Sequence, residues 1–209
     1  MQRVAVVGSG GSGKSTIADR LGELTGLPVT HLDRLYWQPG WVATDDDRWR
    51  QLQAGLVAGE RWIVDGNYYG STLDVRLARA EVVIVLGTSR WRCLQRVTGR
   101  WWRHRRRDVQ AAGCTDRLTI EFVRYIWRWP AQSRPRLDAA IARHREHLQV
   151  VELTASRQVQ AYLASLADGS SGTVRNRSAR PSTRIPRHDP EVVAAQAPLG
   201  GTRSRLDRR

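Results

Sequence analysis

The chain has 209 residues, 41% of them hydrophobic, and a formal net charge of +14. That length suffices for one core domain plus an appendage, and the charge favours anionic partners such as nucleotides, nucleic acid or anionic surfaces without choosing between them. A membrane span is excluded, because the longest apolar runs, such as Val82–Leu86, fall far short of the roughly 20 residues a bilayer helix needs.

In chain order, Val4–Val7 is a short apolar run followed by a glycine-rich loop and a helical pattern (Ile17, Leu21, Leu24) closed by Gly26. This reads as strand, loop, helix. Pro28–Leu32 is a second strand candidate ending at Asp33. A turn at Trp37, Pro39 and Gly40 follows. Thr44–Asp47 then opens a helix through Trp49, Leu52 and Leu56, since acids crowding a helix N-terminus suit its dipole. Trp62–Val64 is a third strand, ending at Asp65-Gly66. Val82–Leu86 is a fourth, apolar throughout as for a strand buried on both faces, and Leu148–Leu153 a fifth. Between the last two lie an Arg/Trp-rich stretch and two helical patterns, Leu118–Trp129 and Pro135–His147, expected to break around Pro130. Alternating strands and helices predict an α/β fold with a parallel sheet. The domain is expected to span 1–167. From 168 the composition turns to Gly, Ser, Pro and Arg, so 168–209 reads as a disordered basic tail.

Charge is unevenly spread: residues 1–167 carry 25 Lys+Arg against 16 Asp+Glu, and 168–209 carry 9 against 4. Nearly all of the positive charge is arginine, and Lys14 is the only lysine. A coding bias toward arginine explains the surface, but it leaves Lys14 as a place where arginine does not serve. Cys93 and Cys114 stand in no C-x-x-C pattern and are expected to be free thiols in a reducing compartment. Val4–Val7 is too short for the apolar region of a signal peptide. A cytoplasmic protein is expected.

Gly8-Ser9-Gly10-Gly11-Ser12-Gly13-Lys14-Ser15 satisfies G-x4-G-K-[ST] in full, between a predicted strand and a predicted helix. Glycines let successive N–H groups turn inward to line an anion nest, and the helix N-terminus adds its positive end. Gly8, Gly10, Gly11, Ser12, Gly13, Lys14, Ser15 and Thr16 are therefore the expected nucleotide-binding residues. Lys14 is expected to reach the β- and γ-phosphates, where a compact ammonium fits and a planar guanidinium does not. The Ser15 hydroxyl is expected to hold Mg2+.

Asp65 ends the third strand, where an acid organises that metal through water; capping of the Asp-Gly turn is the structural alternative. Asp33 ends the second strand at the same sheet edge, where open α/β folds bind ligands. It is placed to align or deprotonate an acceptor hydroxyl, with helix capping as its alternative. The stretch with Arg96, Arg100, Arg103, Arg105, Arg106 and Arg107 reads as a lid over about 96–116, because mobile arginines offset charge on a transferring phosphoryl group. Arg100 and Arg106 are the candidate catalytic members. Trp37, Trp41, Trp101, Trp102, Trp127 and Trp129 are expected to pack in the core or lid rather than stack on a base. His31 and His104 have no partner at metal-ligand spacing.

The Gly8–Ser15 loop, HLDRLYW at 31–37, Asp65-Gly66-Asn67-Tyr68 and the RWP…SRPR stretch at 128–136 resemble bacterial DNA topology modulation proteins, of the adenylate-kinase-like branch of P-loop kinases. The resemblance covers about residues 1–165. It implies a three-layer fold with a five-stranded parallel sheet of order 2-3-1-4-5, an acceptor region after strand two and a helical arginine-rich lid after strand four. Arg96-Val-Thr-Gly-Arg100 looks like the lid entrance of adenylate kinases, which implies Arg96 against the adenine and Arg100 on the donor phosphates. Tyr69 stands where those enzymes carry an arginine that grips the acceptor nucleotide, so Arg34, Arg48 or Arg76 would have to replace it. The expected acceptor contacts are Asp33, Arg34, Asn67, Tyr68 and Arg76. The expected activity is phosphotransfer from ATP with Mg2+ to a small molecule. A nucleic-acid-associated ATP-binding regulator acting through the basic tail, and a toxin-like kinase, are the alternatives.

Overall fold

The structure, a computed structural model, describes residues 1–69, 71–104, 108–115 and 118–169. Strand β1 (Arg3–Gly8) lies at the centre of a parallel sheet, with β5 (Trp62–Asp65) on one side and β6 (Val82–Leu86) on the other. Strand β2 (Val29–His31) extends the sheet beyond β5, and β9 (Gln149–Leu153) extends it beyond β6. Counted over these five strands alone the order is 2-3-1-4-5, as expected.

Alternation along each strand sorts the side chains into two cores. Val4, Val6, Ile63, Ile84 and Leu86 face Ile17, Ala18 and Leu21 of α1 (Lys14–Thr25) and Tyr162 of α7 (Ser156–Ala167). Ala5, Val7, Val64, Val83 and Val85 face the other way, toward α3 (Asp46–Ala58), α4 (Ser71–Arg79) and α6 (Ile120–Arg143). Val4, Val6 and Val7 are wholly buried, each contributing on the order of 1.5–3 kcal/mol. The result is three layers with every strand's carboxyl end at one edge, where Gly8, His31 and Asp65 terminate β1, β2 and β5.

Three features differ from expectation. The helix did not break at Pro130: α6 runs 24 residues with Pro130 and Pro135 inside it. Each proline removes one backbone hydrogen bond, but both are exposed while Phe122, Ile126, Trp129, Ser133, Leu137, Ala140 and Ile141 form a continuous buried stripe. That burial outweighs two lost bonds. Second, the chain after β2 does not go straight into a turn; it forms a short helix α2 (Leu32–Tyr36) and a ribbon of β3 (Trp37–Gln38) with β4 (Val42–Ala43). Third, the lid segment is only partly helical. α5 (Arg90–His104) is followed by a ribbon of β7 (Asp108–Ala111) with β8 (Cys114–Thr115). Strands of two to four residues leave no readable period in the sequence.

The two ribbons meet. Gly40 donates its N–H to the Gly113 carbonyl at 3.0 Å. A Cβ on Gly113 would stand 2.8 Å from Pro39 Cβ, so only glycine permits this approach. The buried Cys114 thiol donates to the Gln38 carbonyl at 3.2 Å. Asp45–Asp47 behave as helix-start acids: Asp45 caps α3 by accepting from the Asp47 and Arg48 amides. Trp37, Trp41 and Trp129 are core residues; Trp127, 40% exposed, packs edge-on against Trp91 of α5 with Arg90 over its ring, and Trp102, 69% exposed, lies edge-on to Trp101. No described helix is long and apolar enough to cross a membrane. The basic tail from residue 170 and the candidate Arg106 lie outside the described residues.

Candidate functional site

Strand β1 delivers the chain into the G-x4-G-K-S loop, and Gly13 in the left-handed conformation (φ 99°) starts α1. The loop is backed by a small cluster of Cys93 and Val97 from α5 with Phe122 and Ile126 from α6. Gly11, at φ 74°, lies so close to α5 that a Cβ would meet the Cys93 carbonyl oxygen at 2.5 Å. Gly10 likewise presses on the Phe122 ring. Helices α5 and α6 thus fix the loop from outside.

Lys14 Nζ donates to the Ser9 carbonyl at 3.2 Å, arching across the mouth of its own loop. Ser15 Oγ donates to Asp65 Oδ2 at 2.6 Å. Asp65 is buried, and its other oxygen, Oδ1, has no hydrogen-bond partner among the described residues. From α5, Arg96 reaches the loop from above, its Nη1 donating to the Ser12 carbonyl at 2.9 Å. Arg100 lies one turn further along α5 and lines the same cavity.

His31 was missed by the sequence reading. Its Nδ1 lies 3.0 Å from Asp65 Oδ2 and its Nε2 2.9 Å from Asp19 Oδ1. Both contacts need a ring N–H, so the imidazolium is the favoured form; the Asp65 hydrogen bond is the largest cause holding its pKa above the ordinary value, against the lowering effect of burial. His31 and Asp65 are partners in the parallel register of β2 and β5. Sequence spacing contains no trace of that pairing, because it arises from the sheet order.

Across the cavity, Asp33 Oδ1 accepts from the Tyr68 hydroxyl at 2.7 Å. Burial pushes the Asp33 carboxyl above its usual range, while the Lys14 ammonium and the Tyr68 hydrogen bond pull it down. Asp33 lies in the first turn of α2 and is not its cap, which is His31. Tyr68 has a left-handed backbone at φ 40°, a conformation that costs a residue with a side chain and clusters at functional sites.

Arg76 explains how that conformation is kept. It is 0% exposed, and its guanidinium donates to the carbonyls of Gly66 (2.6 Å), Asn67 and Tyr68 (3.4 Å). Burial pulls its pKa down to about 10. The expectation that Arg76 contacts the acceptor is therefore corrected: its donors are consumed by the loop that presents Tyr68. Asn67 lines the cavity, yet its amide is largely committed too. It accepts from the Gly8 N–H at 3.0 Å and donates to the Gly8 carbonyl at 2.7 Å and to the Tyr125 hydroxyl at 3.0 Å. Replacing Arg76 by leucine leaves buried carbonyls unpaired, and a loss of about 2–4 kcal/mol is expected. Urea unfolding of Arg76→Leu against the parent protein checks this.

One cavity of about 350 Å³ joins these groups. Gly10, Gly11, Gly13, Lys14, Ser15 and Thr16 form its floor, Arg96 and Arg100 its α5 side, and Asp33, Arg34, Asn67 and Tyr68 the opposite wall. Gly8 and Ser12 lie beneath the floor and shape it through backbone contacts. Trp37, Phe122 and Tyr125 complete the wall; the last two come from α6, too far along the chain for a local motif to announce them. Arg48 on α3 is exposed and does not line the cavity.

No protein-family model matches the chain, and no curated protein sequence matches it. Solved structures do. The chain is similar to a shikimate kinase from Acinetobacter baumannii bound to shikimate, at 15% identity over 79% of this chain and 90% of that one, with a TM-score of 0.50. It is also similar to a gluconokinase from Sinorhizobium meliloti 1021, at 19% identity over 80% of this chain and 94% of that one, with a TM-score of 0.46. At that identity the first likeness bears on architecture: the chain has the α/β fold of a P-loop kinase.

Proposed function

We propose that the protein is an ATP-dependent kinase that transfers the γ-phosphate to a hydroxyl group of a small molecule. The observation that carries this reading is a cavity of about 350 Å³ that the anion-binding loop with Lys14 and a carboxylate, Asp33, line together. An acid on the far wall from the phosphate loop is placed to align an acceptor hydroxyl for in-line attack.

The residues fit a magnesium ion. Ser15 Oγ lies against the Asp65 carboxylate, bonded to its Oδ2, and the other oxygen, Oδ1, has no partner among the described residues; among those residues no group of three His, Cys, Asp or Glu side chains could hold a metal. Mg2+ suits such a sparse set, since it keeps waters and takes phosphate oxygens as ligands. Bound there it would neutralise triphosphate charge. The chain's own residues do the rest. The N–H groups of the loop and Lys14 hold the β- and γ-phosphates, and Arg96 and Arg100 stand where charge builds on the equatorial oxygens. Asp33 aligns the acceptor hydroxyl and takes its proton as the oxygen attacks phosphorus; the bond from γ-phosphorus to the bridging oxygen breaks, and ADP leaves with the electron pair. Tyr68 keeps Asp33 aimed.

His31, which also lines the cavity, holds the Asp65 carboxylate through its 3.0 Å contact, as outer-shell partners commonly do for metal sites. His31→Leu is expected to raise the Mg2+ concentration for half-maximal turnover by roughly 10- to 100-fold, read from a magnesium titration at saturating ATP. The kinase reading itself is tested by ATP consumption with a panel of small alcohols, sugars, nucleosides and nucleotides. Turnover with at least one acceptor class that disappears in Lys14→Ala supports it. Absence of turnover above that control with every class counts against it.

A further inference from the structure

We infer that Tyr125 is a further catalytic residue: its hydroxyl donates a hydrogen bond to a non-bridging oxygen of the phosphoryl group as that group crosses from ATP to the acceptor. This rests on the kinase reading above and adds a neutral donor, carried by α6, to the charged groups of the loop and of α5. The hydrogen bonds around Asn67 fix what Tyr125 can do. Asn67 Oδ1 accepts from the Gly8 N–H at 3.0 Å, and Nδ2 donates to the Gly8 carbonyl at 2.7 Å. Flipping the amide would set donor against donor and acceptor against acceptor, so this orientation alone satisfies Gly8. The second hydrogen on Nδ2 then goes to the Tyr125 oxygen at 3.0 Å. An amide nitrogen has no lone pair to offer, so Tyr125 accepts there and its own O–H is left to donate elsewhere. Among the described residues none takes that proton, and Tyr125 lines the cavity.

Position identifies the oxygen it meets. The Tyr125 ring stacks on Phe122, with centroids 6.2 Å apart and planes 15° from parallel. Phe122 is the ring on which the phosphate loop presses, since a Cβ on Gly10 would stand 2.9 Å from its Cζ. Through Asn67 the hydroxyl is two hydrogen bonds from Gly8, the first residue of the loop, and Lys14 Nζ lies on the next carbonyl, that of Ser9. Tyr125 also feels the acceptor wall: burial is the largest cause raising its pKa, the Asn67 bond opposes it, and the Asp33 charge adds to the rise. The phenol therefore keeps its proton at neutral pH. It stands at the seam between the loop that holds the γ-phosphate and the carboxylate that aligns the acceptor. The phosphoryl group crosses that seam, and a fixed donor there stabilises charge on its equatorial oxygens without reorganisation. No proton leaves the phenol; it holds the hydrogen bond while the bond to the bridging oxygen breaks and ADP departs with the electron pair.

The test compares Tyr125→Phe with Tyr69→Phe in the full chain. Tyr69 is a second phenol beside α6; it accepts from the Trp129 N–H at 3.0 Å and does not line the cavity. ADP release is measured with ATP, Mg2+ and the same panel of small alcohols, sugars, nucleosides and nucleotides. Calorimetry with the acceptor that turns over gives the affinity for ATP–Mg2+, for ADP–Mg2+, and for ADP–Mg2+ with aluminium fluoride, which takes the place of the phosphoryl group in transfer. In Tyr125→Phe kcat is expected to fall on the order of 10²-fold, as for loss of one preorganised donor. The KM for ATP stays within about threefold, because the bond is made chiefly in the transition state. Affinity for ATP–Mg2+ and the thermal midpoint stay near the parent's, while the extra affinity that aluminium fluoride confers on ADP is lost. Tyr69→Phe removes no contact to the reacting group and keeps kcat within about threefold. A Tyr125→Phe kcat near the parent's overturns the inference. So does a loss matched in ATP–Mg2+ affinity, accompanied by a lowered thermal midpoint, or shared by Tyr69→Phe, since each assigns Tyr125 to the fold. In all of these cases Lys14-dependent turnover of the parent leaves the kinase reading standing. Absence of that turnover with every acceptor class defeats both.

Discussion

Lys14→Met is expected to lower phosphotransfer by about 10²- to 10³-fold, the loss seen when one preorganised donor to a transition-state oxygen is removed. Among the described residues the side chain's hydrogen bond is to the Ser9 carbonyl in its own loop, so its removal leaves the sheet and helices paired, and thermal unfolding should stay within a few degrees of the parent. Lys14→Arg should fare little better. A planar guanidinium demands room that a loop backed by Cys93, Val97, Phe122 and Ile126 does not offer. In a chain with no other lysine, where arginine fills every other Lys/Arg position, that is a direct test of why lysine persists here. Steady-state ADP release and a thermal melt on the same samples check both halves. Full activity in either variant would remove Lys14 from the chemistry.

Asp33→Asn is expected to lower kcat by about 10²- to 10⁴-fold, the usual contribution of a positioned general base, with modest effect on the KM for ATP. The pH dependence follows from the environment of the acid. Burial raises the Asp33 pKa above 3.8, and the Tyr68 hydrogen bond opposes that rise by favouring the charged form. Only the ionised form accepts a proton, so kcat/KM should fall as pH drops through this raised value. Tyr68→Phe removes the opposing bond and should move the acid limb to higher pH. Stability runs the other way: the folded chain holds the Asp33 proton more tightly than the unfolded chain, so this group favours folding at low pH and loses that contribution as pH rises from 3.8 through its folded value. At neutral pH, Asp33→Asn should therefore be less active and slightly more stable. A pH–rate profile paired with urea unfolding at pH 4 and pH 7 separates these effects. An acid limb that stays put in Tyr68→Phe would contradict the assignment.

The phosphate loop was legible in the sequence because its residues are contiguous and each is demanded by local backbone geometry. Asp33 and Asp65 were legible for a related reason: each ends an apolar run, and parallel strands bring all such ends to one edge. What the sequence concealed depends on distance across the fold. The His31–Asp65 contact depends on the register of β2 against β5; the resemblance implied that these strands are neighbours, not which of their residues face each other. Tyr125 and Phe122 come from α6, whose continuity through Pro130 is decided by the stripe it buries. Arg76 looked like a ligand as a replacement for the arginine absent at Tyr69, and Asn67 because it stands in the Asp65-Gly66-Asn67-Tyr68 stretch that carries the resemblance. The structure turns Arg76 wholly, and Asn67 largely, to backbone, where they hold the Gly66–Tyr68 turn and Gly8 in place. Residue type announces which groups can bind; satisfaction of buried carbonyls decides which are left to do so.

Isothermal titration of the purified chain with ATP in the presence of Mg2+ tests the central claim most directly. The account predicts a saturable heat with one site per chain, weakened by removal of magnesium and absent in Lys14→Met. A protein that unfolds cooperatively, and so is folded, yet takes up no ATP–Mg2+ would contradict it.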